Sequence, residues 1–170
     1  MKANFAQTYL PAHALLRGLI LCAALAVAWP SMAQQPRAGS EQAASVQALP
    51  AVDVYKSPQC GCCKFWAEHL QKNGFTVTLH DVNDIPATRK KLGMPNRYGS
   101  CHTAKVGQYL VEGHVPAADI KKLLEKKPKA IGLAVPAMPP GSPGMESDEP
   151  VPYDTLLVGK DGKAKVFARH

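Results

Sequence analysis

Three cysteines within four positions constrain this chain more than any other feature of its sequence. They lie in the run Cys60-Gly61-Cys62-Cys63, which contains both a C-x-x-C and a C-x-C spacing. A strand-like stretch, 52–55, precedes the run, and a helix-like stretch, 64–73, follows it. The free N–H groups and the positive dipole end at the start of a helix favour thiolates, which attack disulfides and bind soft metals. The run therefore predicts a redox or metal site.

A structural disulfide with one spare cysteine is the simplest alternative, because exported domains use disulfides as staples. Three clustered thiols are more than one staple needs. With Cys101, the chain has four cysteines after residue 33. An even number of cysteines would permit two disulfides in an oxidising compartment. Adjacent Cys62 and Cys63 do not bond to each other without strain, so two disulfides are hard to arrange.

Residues 1–33 have the features of an export signal. Lys2 and Arg17 are basic, 18–28 is apolar, and Ser31-Met32-Ala33 resembles a cleavage site. The apolar run is too short for a helix that spans a bilayer. We therefore expect a periplasmic chain that begins near Gln34 and has no stable membrane insertion after cleavage.

The remaining chain divides into a leader and one domain. Residues 34–50 are rich in Ala, Gln and Ser and predict a flexible leader, so the folded domain is expected over 51–170. The formal net charge is +7. Its lysines are scattered or lie on one predicted helix face, without the interleaved aromatic residues of a nucleic-acid surface, so we expect no nucleic-acid partner.

The first half of the domain has a strand–helix–strand pattern. Phe65, Trp66, His69 and Leu70 form a helical stripe, and alternating apolar residues over 75–79 predict a second strand. This order implies a parallel strand pair with a right-handed crossover. We interpret His69 as a core histidine with its hydrogen bonds satisfied.

Further elements follow in order along the chain. A short helix is predicted over 85–92, with Asp84 as its N-cap and Gly93 after its end. A β-like run with a bend at Gly107 is predicted over 103–111, and a helix with exposed lysines over 116–127. A long irregular stretch rich in proline follows over 130–152, and a terminal β-hairpin over 155–168. The predicted fold is α/β and thioredoxin-like: a mixed sheet with flanking helices, an inserted strand–helix element and a C-terminal hairpin.

Soft donors also occur outside the cysteine run. Met138 and Met145 lie on a loop stiffened by Pro and Gly and outside any apolar periodicity. Thioethers together with thiolates suit Cu(I). His102, beside Cys101, is a weaker candidate as a ligand or as a partner of a ligand. We interpret His114 as structural, and His80 and His170 belong to no motif.

Five segments together give the chain a family resemblance, namely Cys60-Gly61-Cys62-Cys63, Ser100-Cys101-His102-Thr103-Ala104, Glu112-Gly113-His114-Val115-Pro116, Gly132-Leu133-Ala134-Val135-Pro136 and 138–146. From about residue 52 onward the chain resembles the exported, thioredoxin-like metal-binding family of CopG-type periplasmic copper-resistance proteins. The resemblance implies copper binding through Cys60, Cys62, Cys63 and Cys101, as a multinuclear Cu(I)–thiolate cluster with redox activity. Ala137 departs from the glycine expected before Met138.

Three functions stay open on these grounds. The first is copper binding in copper resistance, with copper ions and other periplasmic copper-handling proteins as partners. The second is an enzyme, a copper or thiol–disulfide oxidoreductase in which Cys60 attacks and Cys63 resolves. The third is structural zinc, which adjacent Cys62 and Cys63 disfavour because neighbours do not easily occupy two vertices of one tetrahedron.

Overall fold

The computed structural model describes residues 48–170, so the predicted export signal and most of the leader lie outside the described residues. The helices and strands follow one another as β1 (Val52–Lys56), α1 (Gly61–Lys72), β2 (Val77–Asp81), α2 (Ile85–Leu92), a 3₁₀ turn (Asn96–Tyr98), β3 (His102–Val106), β4 (Tyr109–Glu112), α3 (Ala117–Lys126), β5 (Ala130–Ala134), β6 (Asp154–Gly159) and β7 (Ala164–Arg169). Within 48–170, no helix is long and apolar enough to cross a membrane.

All seven strands form one mixed sheet in the order β2-β1-β3-β4-β5-β6-β7. The strands β1 and β2 are parallel and are joined by α1, as the strand–helix–strand pattern predicts. The strands β3 and β4 form an antiparallel hairpin, and β3 pairs antiparallel with β1. The α/β architecture with a mixed sheet and flanking helices is therefore confirmed, and the first strand–helix junction with its C-x-x-C run fits a thioredoxin-like fold.

Two apolar clusters pack on opposite faces of the sheet. The larger one combines Trp66 and Leu70 of α1 with Ile120 and Leu123 of α3 and with Val111 of β4. The smaller one includes Met94, Leu110, Ala134 and Val158. Because Leu110 and Val111 are consecutive on a strand, their side chains point to opposite faces, and so do the two clusters.

Helix α1 begins directly after Cys60, so it starts earlier than the predicted 64–73 and takes Cys62 and Cys63 into its first turn. The prediction that Phe65 belongs to the buried stripe is wrong, because its side chain is 57% exposed. The buried residues of α1 are Cys63, Trp66, Ala67 and Leu70. They follow the three- and four-residue spacing of one helix face, which leaves Phe65 outside it.

Helix α2 has the predicted bounds because both ends are fixed locally. The Asp84 carboxylate accepts a hydrogen bond from the backbone N–H of Ala87 at 2.8 Å, as an N-cap does. Gly93 ends the helix with a φ of +102°, a left-handed conformation that glycine adopts without a Cβ penalty.

The β-like run over 103–111 consists of two strands rather than one. Gly107, with a φ of +56°, turns the chain between β3 and β4, so the predicted bend is a hairpin turn. Helix α3 follows with its lysines exposed, as predicted, and with Ile120 and Leu123 buried. The terminal hairpin of β6 and β7 is also confirmed.

The predicted irregular stretch 130–152 is wrong over its first five residues, which form β5. This strand shows no polar–apolar alternation because both of its faces are covered, with Leu133 in the larger apolar cluster and Ala134 in the smaller one. Gly132 pairs with Leu110, and a Cβ at Gly132 would overlap the Leu110 carbonyl oxygen. Glycine in a strand interior lowers the strand signal in the sequence, although here the close approach of two strands requires it.

A candidate metal centre at the start of helix α1

The four cysteines meet because two strands end side by side. Antiparallel pairing places Lys56, the last residue of β1, opposite His102, the first residue of β3. The loop that follows β1 leads into the cysteines at the start of α1, and Cys101 directly precedes β3. The sheet therefore brings Cys101 to Cys60, Cys62 and Cys63, about 40 positions away along the chain.

The four sulfur atoms form a compact group. Cys60 and Cys63 are joined by a disulfide, while Cys62 and Cys101 are free and partly buried. The Sγ atom of Cys101 lies 3.5 Å from that of Cys63 and 3.9 Å from that of Cys62. The Sγ atoms of Cys60 and Cys62 are 3.6 Å apart. The ligand atoms of all four residues lie within 4.8 Å of one another, so they could hold a metal together when the Cys60–Cys63 pair is reduced.

Two buried histidines face the Cys101 thiol. The Nδ1 atom of His102 is 3.3 Å from the Cys101 Sγ, and the Nε2 atom of His114 is 3.0 Å from it. His102 packs on Trp66, with ring centroids 4.4 Å apart. Trp66 is itself held by a hydrogen bond from its indole N–H to the Val115 carbonyl oxygen at 2.9 Å.

Burial keeps these groups neutral in the metal-free protein. Burial raises the pKa of the Cys101 thiol to about 12, and the neighbouring Cys62 adds to the effect. Burial lowers the pKa of His102 to about 3, with a further contribution from His114, and burial also lowers the pKa of His114. A metal ion would replace the Cys101 proton, so metal binding here releases a proton.

The segment that carries Cys101 is held by a buried ion pair. Arg89 of α2 and Glu112 of β4 pair at 2.8 Å, and their side chains are 5% and 0% exposed. Arg89 donates a hydrogen bond to the Ser100 carbonyl oxygen at 2.6 Å, and Glu112 accepts one from the Ser100 N–H at 2.7 Å. Both backbone groups of the residue before Cys101 are therefore fixed by charged side chains.

The methionine loop, residues 138–146, packs against the start of α1. A Cβ at Gly144 would lie 2.7 Å from the backbone nitrogen of Trp66 and 2.8 Å from the carbonyl oxygen of Cys62, so glycine permits this close approach. Met138 is 45% exposed and Met145 is partly buried. These exposures agree with the prediction that the thioethers lie outside the core, and their role toward copper stays a prediction.

A left-handed alanine connects the methionine loop to the Cys101 segment. Ala137 has a φ of +60°, and its N–H donates a hydrogen bond to the Gly99 carbonyl oxygen at 3.2 Å. The Ser100 hydroxyl also donates to the Ala137 carbonyl oxygen. This conformation explains why glycine is the residue expected before Met138.

Replacing Ala137 by glycine should stabilise the protein. A left-handed conformation costs a non-glycine residue about 1–2 kcal/mol, and the greater unfolded-state entropy of glycine offsets part of the gain. We expect the free energy of unfolding of Ala137→Gly to rise by up to about 1 kcal/mol in urea titrations. Ala134→Gly in β5 is the control and should destabilise, and equal losses in both variants would contradict the explanation.

Some residues of the site were predictable from the sequence and others were not. Cys60, Cys62, Cys63 and Cys101 come together, and His102 lies beside them, as predicted. The interpretation of His114 as purely structural missed its contact with Cys101, and Arg89 and Glu112 were not identified. For His114, the sequence did offer a signal, because the histidine lies in a short Gly-His-Val-Pro connection between a strand and a helix. For Arg89, no local sequence pattern indicates that its side chain is buried in α2.

The fold and the site together define a class of protein: an α/β domain with a mixed sheet in which four further donors, namely Cys62, Cys101 and two histidines, lie beside a C-x-x-C pair. Residues 98–145, which include Cys101, both histidines and most of the methionine loop, match the family described as "Protein of unknown function, DUF411". Two solved structures, "Copper resistance protein copG- Form 1" and "Copper resistance protein copG- Form 2", are each 46% identical to this chain. Each comparison covers 72% of this chain and 98% of the other chain, with a TM-score of 0.68. No curated protein matches the chain. The chain belongs to the family of the copper resistance protein CopG.

Proposed function

We propose that this protein binds Cu(I) in the periplasm as a multinuclear cluster on Cys60, Cys62, Cys63 and Cys101 and acts in copper resistance. The observation that carries the proposal is the convergence of four sulfur atoms within 4.8 Å of one another at the start of α1. The names of the two related structures, both copper resistance proteins, support copper as the ion. The export features of residues 1–33 support the periplasmic location.

The donor set favours a soft ion. Thiolates select Cu(I), which accepts two or three ligands and can share a thiolate with a neighbouring ion. Cys62 and Cys63 both lie in the first turn of α1, and their sulfurs lie within the 4.8 Å that encloses all four ligand atoms. Sulfur separations of 3.5–3.9 Å would also fit one tetrahedral ion. The number of ions bound therefore distinguishes a copper cluster from a single zinc site.

The disulfide supports a redox role within the same function. When Cys60 and Cys63 are reduced, two Cu(II) ions can each take one electron from the two thiols. The products are two Cu(I) ions, the Cys60–Cys63 disulfide and two protons. The alternative function, thiol–disulfide exchange with another protein, uses the same pair, with Cys60 as the attacking thiolate.

An anaerobic Cu(I) titration of the reduced protein tests the proposal, with the copper count read by native mass spectrometry. We expect more than one Cu(I) per chain, bound cooperatively. Protein with all thiols alkylated is the control for copper bound elsewhere. A plateau at one ion, or equal binding by the alkylated protein, would contradict the cluster.

The methionine loop is proposed to assist copper capture or transfer. Replacing Met138 and Met145 together by leucine, which is close in volume, should change the free energy of unfolding by less than about 1.5 kcal/mol. The rate of Cu(I) uptake from a chelator should fall, because the thioethers that contact the incoming ion are gone. A large loss of stability with unchanged copper exchange would instead assign these residues to the core.

A further inference from the structure

We propose that the end of the domain opposite the cysteines binds the surface of an anionic lipid bilayer. Eight exposed lysines from four parts of the chain form this basic end, namely Lys91, Lys105, Lys126, Lys127, Lys129, Lys160, Lys163 and Lys165. The attachment is electrostatic and peripheral, with no segment inserted into the bilayer. It is a second property of the domain and does not rest on the proposed copper function.

The strand topology gathers these lysines at one end of the sheet. The cysteines lie where β1 ends and β3 begins, so the opposite end is where β1 begins and β3 ends, at the pair of Val52 and Val106. The β3–β4 turn lies at that opposite end, and so does the start of β5, because β4 and β5 run parallel. Ala130, at the start of β5, pairs with Gly159 at the end of β6, which places the β6–β7 turn there too. The lysines are scattered along the sequence, and only this pairing brings them together.

Two open pockets at the basic end are each lined by three of these lysines. The first pocket has a volume of about 360 Å³, and the second one of about 430 Å³. Their lysines are Lys91, Lys105 and Lys160 in the first pocket and Lys129, Lys163 and Lys165 in the second. Lysine ammonium groups bind phosphate oxygens as point charges. Each pocket can therefore hold a lipid headgroup that carries a phosphate.

The two ends of the domain carry charge of opposite sign. Among residues 48–170, the basic end has three exposed or partly exposed carboxylates against its eight lysines, and they belong to Asp53, Glu125 and Asp161. At the cysteine end, carboxylates outnumber the exposed cations Lys64 and Arg169. Six of these carboxylates are exposed or partly exposed, namely those of Asp81, Asp84, Glu146, Asp148, Glu149 and Asp154. An anionic surface attracts the basic end and repels the other, so the bound domain directs its cysteines away from the bilayer.

The composition of the basic end favours a lipid surface over a protein partner. Protein interfaces are depleted of lysine and enriched in aromatic residues and arginine, whereas clusters of lysines are typical of surfaces that bind anionic lipids. Within residues 48–170, the exposed large hydrophobic side chains lie in α1, in the edge strands β2 and β7 and in the segment between β5 and β6, and they are Phe65, Leu79, Val166, Met138 and Val151. The turns that carry the lysines therefore offer charge without an apolar anchor, as a headgroup surface requires.

The experiment measures binding of the exported chain to lipid vesicles by sedimentation, without added copper. The chain should bind vesicles of phosphatidylglycerol and phosphatidylethanolamine at low salt, leave them at about 0.5 M salt, and not bind phosphatidylcholine vesicles. The Lys129→Gln, Lys160→Gln double variant should bind the anionic vesicles about 10- to 30-fold more weakly. The matched control is the Lys64→Gln, Arg169→Gln double variant, which loses the same charge at the cysteine end. Its affinity should stay close to that of the parent, because salt screens charges that lie beyond a Debye length from the bilayer.

Lysine acylation gives a readout of orientation that does not depend on the variants. With a water-soluble reagent and mass spectrometry, the lysines of the basic end should react more slowly on anionic vesicles than in solution, while Lys64 should react at an unchanged rate. Equal weakening in both double variants, binding that salt does not reverse, or slower acylation of Lys64 would overturn the oriented attachment. A chain that binds no anionic vesicles, even if it binds an acidic protein, would overturn it as well. None of these results would affect the proposed cluster, which is measured by copper titration without lipid.

Discussion

Replacing Cys101 by serine should remove most of the Cu(I) bound by the reduced protein. Cys101 is the one cysteine of the four that does not come from the α1 segment, and its sulfur lies within 4 Å of those of Cys62 and Cys63. If each thiolate is shared between ions, loss of one should lower the copper count by more than one quarter. Native mass spectrometry after anaerobic titration gives the count, and cells that express the variant should lose copper protection.

The Cys101→Ser variant also separates the two leading functions. It keeps the Cys60–Cys63 disulfide, so a protein that only exchanges disulfides should retain much of that activity. Serine is smaller than cysteine and can form a hydrogen bond with His114, so the fold should survive. If Cys101→Ser binds as many Cu(I) ions as the parent, the four-thiolate cluster is wrong and the oxidoreductase function becomes the better explanation.

The His114→Gln variant complements this experiment on the reduced chain. It keeps all four thiols, so the multinuclear count should persist. A loss of the whole cluster in a folded His114→Gln chain would mean that His114 belongs to the cluster itself.

Replacing Arg89 by methionine should cost about 3–5 kcal/mol of stability, the usual cost of removing one partner of a buried ion pair. Glu112 has a fully buried side chain, and Arg89 is the cation that pairs with it. The change also removes the Arg89 hydrogen bond to the Ser100 carbonyl oxygen. Urea titrations of the metal-free protein measure the loss, and copper titration of the folded fraction measures the effect on the site.

This loss of stability should depend on pH with a defined sign. Burial raises the pKa of Glu112, and Arg89 opposes the rise. Without Arg89 the folded-state pKa rises further, so the native state binds more protons than the unfolded state over a wider range of pH. Stability then falls as pH increases from the ordinary pKa of a glutamate through the raised value. The difference between parent and Arg89→Met should therefore be larger at pH 8 than at pH 4.

The control for this prediction is the double variant Arg89→Met, Glu112→Met. Without either charge no ion is left buried and unpaired, so much of the lost stability should return, although the Ser100 backbone groups still lack their partners. The pH dependence that comes from Glu112 should disappear. A double variant as unstable as Arg89→Met, with the same pH profile, would show that the buried carboxylate is not the cause.

The sequence alone determined the features that depend on neighbours along the chain. Cys60 is the N-cap of a helix whose first turn contains Cys62 and Cys63, so these three sulfurs had to be crowded wherever the helix lies. Asp84 and Gly93 set the two ends of α2 through hydrogen bonds and a left-handed cap within a few residues. Such local patterns are visible in sequence because capping and helical periodicity act over about four positions.

Only the tertiary structure decided which distant residues complete the site. Cys101 reaches the cysteine run because β1 and β3 pair antiparallel, and His114 reaches Cys101 because a turn of the chain after β4 returns to the same edge. The strand β5 was missed because its pairing on both sides, rather than its own alternation, makes it a strand. The contacts of Arg89 with Glu112 and Ser100 could not be predicted from the sequence either. Packing across the sheet and the order of the strands depend on the free energy of the whole chain, so they leave no short-range sequence pattern.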